Sequence, residues 1–173
     1  MKKAFWPLFL LLFLITSFTS THDVQDGTTI VHVGEKAPDF TGYTLDGKKI
    51  RLSHLKGKVV LINFFATWCG PCLREMPQLE KDLWKPYQEK GLVLLAIGRE
   101  ETKEKLIPFI EQRQLTYPVL ADPQREIYSL YATQYIPRNF LIGKDGRLIF
   151  HNIGYTREGF RSLKEQVAEA LGM

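Results

Sequence analysis

Two cysteines, Cys69 and Cys72, stand two residues apart in the stretch FFATWCGPCLREMP (64–77), and the 173-residue chain has no others. A pair at this spacing is either a staple or a reagent. As a staple it is weak: closing a four-residue loop is worth roughly 2 kcal/mol by chain entropy, against about 3 kcal/mol for fifteen residues. A chain of this length, 45% hydrophobic, buries a core without disulfides. The spacing therefore suits a bond that opens and closes. A zinc site needs about four ligands. The four histidines, His22, His32, His54 and His151, show no HxxxH spacing and read as surface residues. No metal or organic cofactor is implied.

The flanking sequence positions the pair. VVLINFFA (Val59–Ala66) is a continuous apolar run, suited to a strand buried on both faces. From Pro71 to about Lys90, Leu73, Met76, Leu79, Leu83 and Tyr87 recur at helical spacing, with a kink expected at Pro77 and an end at Gly91. LVLLAIG (Leu92–Gly98) is a second buried strand, so the unit is β-helix-β with a parallel crossover. Cys69 then lies just ahead of a helix and Cys72 one turn inside it. Backbone N–H groups and the dipole at a helix start favour thiolate, with pKa values of about 3.5–7.5 instead of about 8.5. This predicts Cys69 as the exposed nucleophile and Cys72 as the shielded second sulfur. Pro71 fits the first turn, where a missing N–H costs little.

The remaining elements frame this unit. Asp46-Gly47 predicts a type I′ hairpin turn between short arms at 43–45 and 49–52. A charged helix is expected over 102–113, with Leu106, Phe109 and Ile110 on one face and Pro108 bending it or delaying its start. YPVLAD is a short strand. Asp122-Pro123 predicts an N-cap that opens a helix to about Tyr131. NFLIG and LIFHNIG flank the hairpin signal KDGR, and Thr156 caps a last helix carrying Phe160, Leu163, Val167 and Leu171. The order implies an α/β sandwich.

The N-terminus differs from the rest. Lys2 and Lys3 precede an uncharged run from Ala4 to Thr21, strongly apolar between Phe5 and Ile15. A basic start followed by an apolar segment is an export signal, either cleaved or retained as a membrane anchor. The domain plan is a signal peptide or anchor over 1–21, a linker over 22–32, and one folded domain over 33–173. Such a domain lies outside the cytoplasm, periplasmic or on the outer face of the cytoplasmic membrane, where disulfides persist. Without Lys2 and Lys3 the 23 basic residues fall to 21 against 19 acids, too even a balance for a nucleic-acid surface.

TWCGPC after VVLINFFA resembles the thioredoxin active site, and the chain from about Val33 to Leu171 resembles the exported TlpA/ResA-like thioredoxins. The resemblance rests on GEKAPDFTGYTLDGKKIRLSHLKGKVVLINFFATWCGPCLREMP, on the extra helix-and-strand segment ending in YPVLADP, and on YIPRNFLIGKDGRL. It implies a thioredoxin-like three-layer sandwich: a central mixed sheet, an N-terminal β-hairpin extension, and a helix–strand insertion after the first βαβ unit. It implies a redox-active Cys69–Cys72 disulfide with Trp68 packed beside it. Pro137 matches the family's cis proline facing the cysteines, which leaves the backbone of Ile136 to pair with an extended substrate. Where cytoplasmic thioredoxins carry a buried aspartate, this chain has Asn63, which cannot take a proton. ResA-like members place a glutamate three residues after the second cysteine, and Glu75 matches, an i,i+3 step from Cys72 on one helix face. Glu75 is thus the expected tuning acid. Gly70-Pro71 resembles the reducing end of the family, near thioredoxin's roughly −270 mV and away from DsbA's roughly −120 mV.

The activity so implied is thiol–disulfide exchange by a monomer that reduces disulfides in exported proteins, with apocytochrome c among the substrates in cytochrome c biogenesis. An integral-membrane thiol carrier is the implied electron donor. A peroxiredoxin-like peroxidase shares the early APDF but expects Thr-x-x-Cys after a proline, which is absent. A copper-delivery module expects cysteines three residues apart and a downstream histidine. A holding module that binds apocytochrome c or haem without turnover would keep its activity when either cysteine is replaced.

Overall fold

The computed structural model describes residues 27–173. The expected signal or anchor over 1–21 lies outside these residues. From Thr28 the chain is already tied to the domain: the Ile30 N–H donates to Tyr131 O at 2.9 Å, Thr29 bridges Ala132, and Val31 is buried. Residues 28–31, within the expected 22–32 linker, therefore pack as part of the folded unit.

A short hairpin follows, β1 (Thr41–Tyr43) and β2 (Lys49–Arg51), antiparallel with Gly42 opposite Ile50. Its turn differs from type I′, because only Gly47 of the central pair has positive φ, at 89°. The Thr44 side chain bonds Asp46 and takes the Lys48 N–H at 2.9 Å, which fixes the turn by side-chain contacts instead. A 3₁₀ turn (Leu52–Leu55) leads to β3 (Val59–Phe65), every residue of which is buried. Then come α1 (Gly70–Gln78), a π turn (Leu79–Trp84), α2 (Lys85–Tyr87), a 3₁₀ turn (Gln88–Lys90) and β4 (Leu92–Arg99). The kink expected at Pro77 takes the form of that π turn. Proline has no N–H to donate and crowds the carbonyl of Leu73, and the widened turn after it absorbs the misfit.

The helix expected over 102–113 is α3 (Lys103–Gln112), with Thr102 at its N-cap position and Pro108 inside. It packs where β4 has no side chain, since a Cβ at Gly98 would meet Leu106 Cδ1 at 2.7 Å. β5 (Val119–Asp122) follows. The helix expected from Asp122-Pro123 to Tyr131 is not formed; only a 3₁₀ turn, Tyr128–Leu130, is present. The Asp122 carboxylate does cap, but five and six residues on, accepting from Ile127 N at 3.2 Å and Tyr128 N at 2.8 Å. Arg125 at φ 61° breaks the intervening path. Aromatic burial decides the outcome. Tyr128 packs edge-on against Phe64 at 5.1 Å and Tyr131 lies 5.1 Å from Phe140, while their hydroxyls donate to Tyr135 O and Pro38 O, both at 2.7 Å. β6 (Arg138–Ile142), β7 (Leu148–Ile153) and α4 (Arg157–Leu171) complete the chain, with Thr156 Oγ1 capping α4 as expected.

The five-stranded sheet runs β5-β4-β3-β6-β7, parallel across β5-β4-β3 and antiparallel across β3-β6-β7. Side chains alternate between its faces. One face, with Leu61, Phe65, Leu94 and Leu141, packs on α1, α3 and α4 through residues such as Met76, Leu106 and Leu163. The other, with Ile62, Phe64, Leu95 and Phe140, is covered by Val31, Phe40, Leu52, Tyr128 and Tyr131. The fold is thioredoxin-like, with its third layer built from the N-terminal segment and short turns. Among the described residues no helix is long and apolar enough to cross a membrane.

Candidate active site

β3 ends at Phe65, and four residues later Cys69 caps α1. Cys69 and Cys72 form a disulfide with Cα atoms 5.3 Å apart. The Cys72 N–H points at Cys69 Sγ, at 3.2 Å. This is the helix-start donor that stabilises negative charge on Cys69 once the bond is opened. The loop before the pair is held by Glu101, just after β4. Its Oε1 accepts from Thr67 N at 2.8 Å and Thr67 Oγ1 at 2.6 Å, and its Oε2 lies 2.6 Å from Lys105 Nζ. Burial opposes ionisation of Glu101, but the bonds from Lys105 and Thr67 outweigh it and hold the carboxyl below its usual range.

The expected exposed nucleophile is nearly covered. Cys69 is 4% exposed and Cys72 1%, so both cysteines are buried in the oxidised form. The screen comes from across the sheet: the Ile136 carbonyl oxygen lies 3.8 Å from Cys69 Sγ, and the Ile136–Pro137 peptide is cis. Access runs through a groove of about 360 Å³ between Trp68, Cys69, Pro71, Arg99, Tyr135 and Ile136. Trp68 flanks the pair but is 64% exposed, and Tyr135, held at φ 66°, is 59% exposed. Two large aromatic side chains thus stand in solvent at the mouth of the groove.

Beneath the pair, on the α1 face of the sheet, lies a buried polar cluster. Glu75 is 1% exposed. Asn63 on β3 and Asn139 on β6 are register partners, and both reach the carboxylate. Asn63 Nδ2 donates to Glu75 Oε2 at 3.0 Å and Asn139 Nδ2 to Oε1 at 2.7 Å. Asn63 Nδ2 also donates to Asn139 Oδ1 at 2.8 Å. Burial pushes the Glu75 carboxyl up to about 7, against the pull of the Asn139 and Asn63 bonds.

All seven expected residues, Asn63, Trp68, Cys69, Cys72, Glu75, Ile136 and Pro137, gather at this end of the sheet. Sequence reasoning missed Asn139, Glu101 and Tyr135. Asn139 had one available signal: it lies two residues beyond Pro137, so on a strand its side chain shares that residue's face. Among the described residues no group of three or more His, Cys, Asp or Glu is arranged to hold a metal ion.

A helix-capping disulfide at the end of a central parallel strand, opposite a cis proline, defines a thioredoxin-like dithiol/disulfide protein. Residues 33–151 match the AhpC/TSA family. The thiol–disulfide oxidoreductase ResA of Bacillus cereus is 40% identical over 124 residues, covering 72% of this chain and 71% of that protein. ResA of Geobacillus thermodenitrificans is 37% identical over 141 residues, covering 82% and 80%. The solution structure of a Bacteroides thetaiotaomicron protein superposes with a TM-score of 0.81 at 41% identity, over 84% of this chain and 94% of that one. A thiol:disulfide interchange protein of Chlorobium tepidum gives 0.69 at 28% identity, over 79% and 95%. The chain belongs to the AhpC/TSA family and, within it, to the thiol–disulfide oxidoreductases of the ResA type.

Proposed function

We propose that the protein reduces disulfides in exported proteins through the Cys69–Cys72 dithiol, outside the cytoplasm. The observation that carries this reading is the disulfide at the N-terminus of α1, beside a groove flanked by exposed Trp68 and Tyr135. A groove of that form accepts an extended polypeptide. Its backbone pairs with Ile136 beside Pro137, while an apolar side chain rests on the two rings.

The reaction then follows from the geometry. In the reduced form Cys69 is the thiolate, favoured by the Cys72 N–H and the helix dipole. It attacks one sulfur of the substrate disulfide and expels the other as a thiolate that takes a proton from water. Cys72 gives its proton to the Glu75 carboxylate and attacks Cys69 Sγ. The Cys69–Cys72 bond forms, and the second substrate sulfur leaves as a thiolate that takes a proton from water. Two enzyme thiols are oxidised and one substrate disulfide is reduced to two thiols. An integral-membrane thiol carrier restores the dithiol. Residues 1–21 export the domain, as a cleaved signal or as an anchor, and the domain works as a monomer. Apocytochrome c is the candidate substrate within the wider class of exported disulfide proteins.

The test is trapping. Cys72→Ser, expressed in cells, is expected to hold substrates on Cys69 as mixed disulfides, and Cys69→Ser is expected to hold none. The purified wild type is expected to speed the reduction of insulin by dithiothreitol. Absence of trapped proteins together with turnover of peroxide would favour a peroxidase. Binding of apocytochrome c unaffected by either cysteine substitution would favour a holding module.

A further inference from the structure

A buried carboxyl group that exchanges protons must be held in place in both its charged and its neutral state. The Glu75 cluster meets the first demand directly. Each carboxylate oxygen receives one amide N–H, from Asn63 and from Asn139, and the two amides are locked to each other. The donors come from adjacent antiparallel strands in direct register, so their spacing is set by the sheet and not by flexible loops. Asn63 Oδ1, in contrast, is buried without a hydrogen-bond partner. A neutral Glu75 carries an O–H that needs an acceptor, and Asn63 Oδ1 is an acceptor of the same residue pair that no donor occupies.

We infer that Asn139 is a positioning residue of the thiol chemistry: with Asn63 it clasps Glu75 so that the carboxylate can take the proton of Cys72 as that sulfur closes the disulfide. The inference rests on the role proposed above for Glu75. Bonds that favour the carboxylate set the pH above which it serves as a base. Other ionisable groups near Glu75 are few. Cys72 lies one turn back on α1. Tyr117, entering β5, has its hydroxyl pushed upward by burial, then by Glu80 and Glu75. Glu80, in the π turn after α1, accepts from Thr116 N and Oγ1 and lies 3.6 Å from Lys85 Nζ. On β6, Arg138 precedes Asn139 and so takes the opposite face, where its Nε donates to Gln134 O at 2.8 Å. On β4, the residue paired with Asn63 is Ala96.

The experiment isolates the closing step. A mixed disulfide of glutathione with Cys69 is prepared, and release of glutathione by Cys72 is timed from pH 5 to 9. The wild type is expected to accelerate through an inflection belonging to the coupled Cys72–Glu75 pair. Loss of one charge-assisted donor in Asn139→Ala is expected to move that inflection up by about one pH unit, slowing release about tenfold on its acid side while leaving the alkaline plateau within about twofold. Asn139→Ser, a smaller change in polarity, gives the same reading should the alanine variant not fold. Adding Asn139→Ala to Glu75→Gln is expected to change nothing further. An inflection unmoved in both Asn139 variants, or a shift that persists in the Glu75→Gln background, overturns the inference. An inflection intact in Glu75→Gln alone instead overturns the role given to Glu75.

Discussion

Replacing Glu75 by glutamine should change how stability depends on pH, and the size of the change follows from burial. The carboxyl group is held at about 7 in the folded protein against an ordinary value of 4.5, because burial disfavours its charge more than the two asparagines favour it. Between these values the folded state keeps a proton that the unfolded state has released. Stability from this group is therefore complete below about pH 4.5 and is lost as pH rises toward and through 7. Two and a half pH units at about 1.4 kcal/mol each amount to about 3.5 kcal/mol, of which about 3 kcal/mol is lost between pH 4.5 and 8. The assay is urea unfolding of the oxidised protein at pH 4.5, 6 and 8, in which the cysteines do not titrate. Other carboxylates contribute equally to both proteins and cancel in the difference. The wild type should lose about 3 kcal/mol more than Glu75→Gln between pH 4.5 and 8. Glutamine sets its own amide against the donors of Asn63 and Asn139, but that cost is constant with pH and leaves the slope alone. Parallel stability curves for the two proteins would refute the claim that a proton resides on Glu75 near neutrality.

Trp68→Ala, at a 64% exposed position, should leave stability within about 0.5 kcal/mol and slow reduction of protein disulfides severalfold, with little effect on glutathione disulfide; equal slowing of both substrates would deny the ring a role in recognition. Glu101→Gln weakens the charged acceptor for Thr67 and the pair with Lys105, and chemical denaturation should show a loss of about 1–3 kcal/mol. In the reduced protein, iodoacetamide should label Cys69 at least about tenfold faster than Cys72, as read by mass mapping; equal rates would contradict the assigned order of attack. Leu61→Ala, fully buried in the central strand, should cost about 2–5 kcal/mol in the same denaturation assay without altering the pH dependence of the closing step.

What could be read in advance was local. Val59–Phe65, apart from Asn63, and Leu92–Gly98 are apolar runs rich in β-branched and aromatic residues, and such runs suit strands buried on both faces. Thr156 sits where a cap is needed, and it does cap. What escaped depends on contacts between distant residues. The helix predicted from Asp122 to Tyr131 yields to the burial of Tyr128 and Tyr131 against Phe64 and Phe140, a gain invisible to capping rules. The screening of Cys69 comes from Ile136, 67 positions away. The part played by Asn139 requires the β3–β6 register, which places it opposite Asn63. A slip of one residue would have turned its side chain to the other face.

The asparagine at position 63 illustrates how one substitution relocates a function without changing its chemistry. An acidic group on β3 would have been fixed by the strand itself. Here the acid is on α1, three residues after Cys72, and two strands supply amides to hold it. The helix brings the carboxyl group and the sulfur onto one rigid element, so their separation does not depend on how the helix docks on the sheet. The sheet in turn sets only the affinity of the carboxyl for its proton, through the number of donors it presents. The reactivity of Cys69 is set by the helix start, and the acidity of Glu75 by residues 63 and 139. Substitutions at Asn139 should therefore move the pH dependence of the closing step while sparing the reactivity of Cys69.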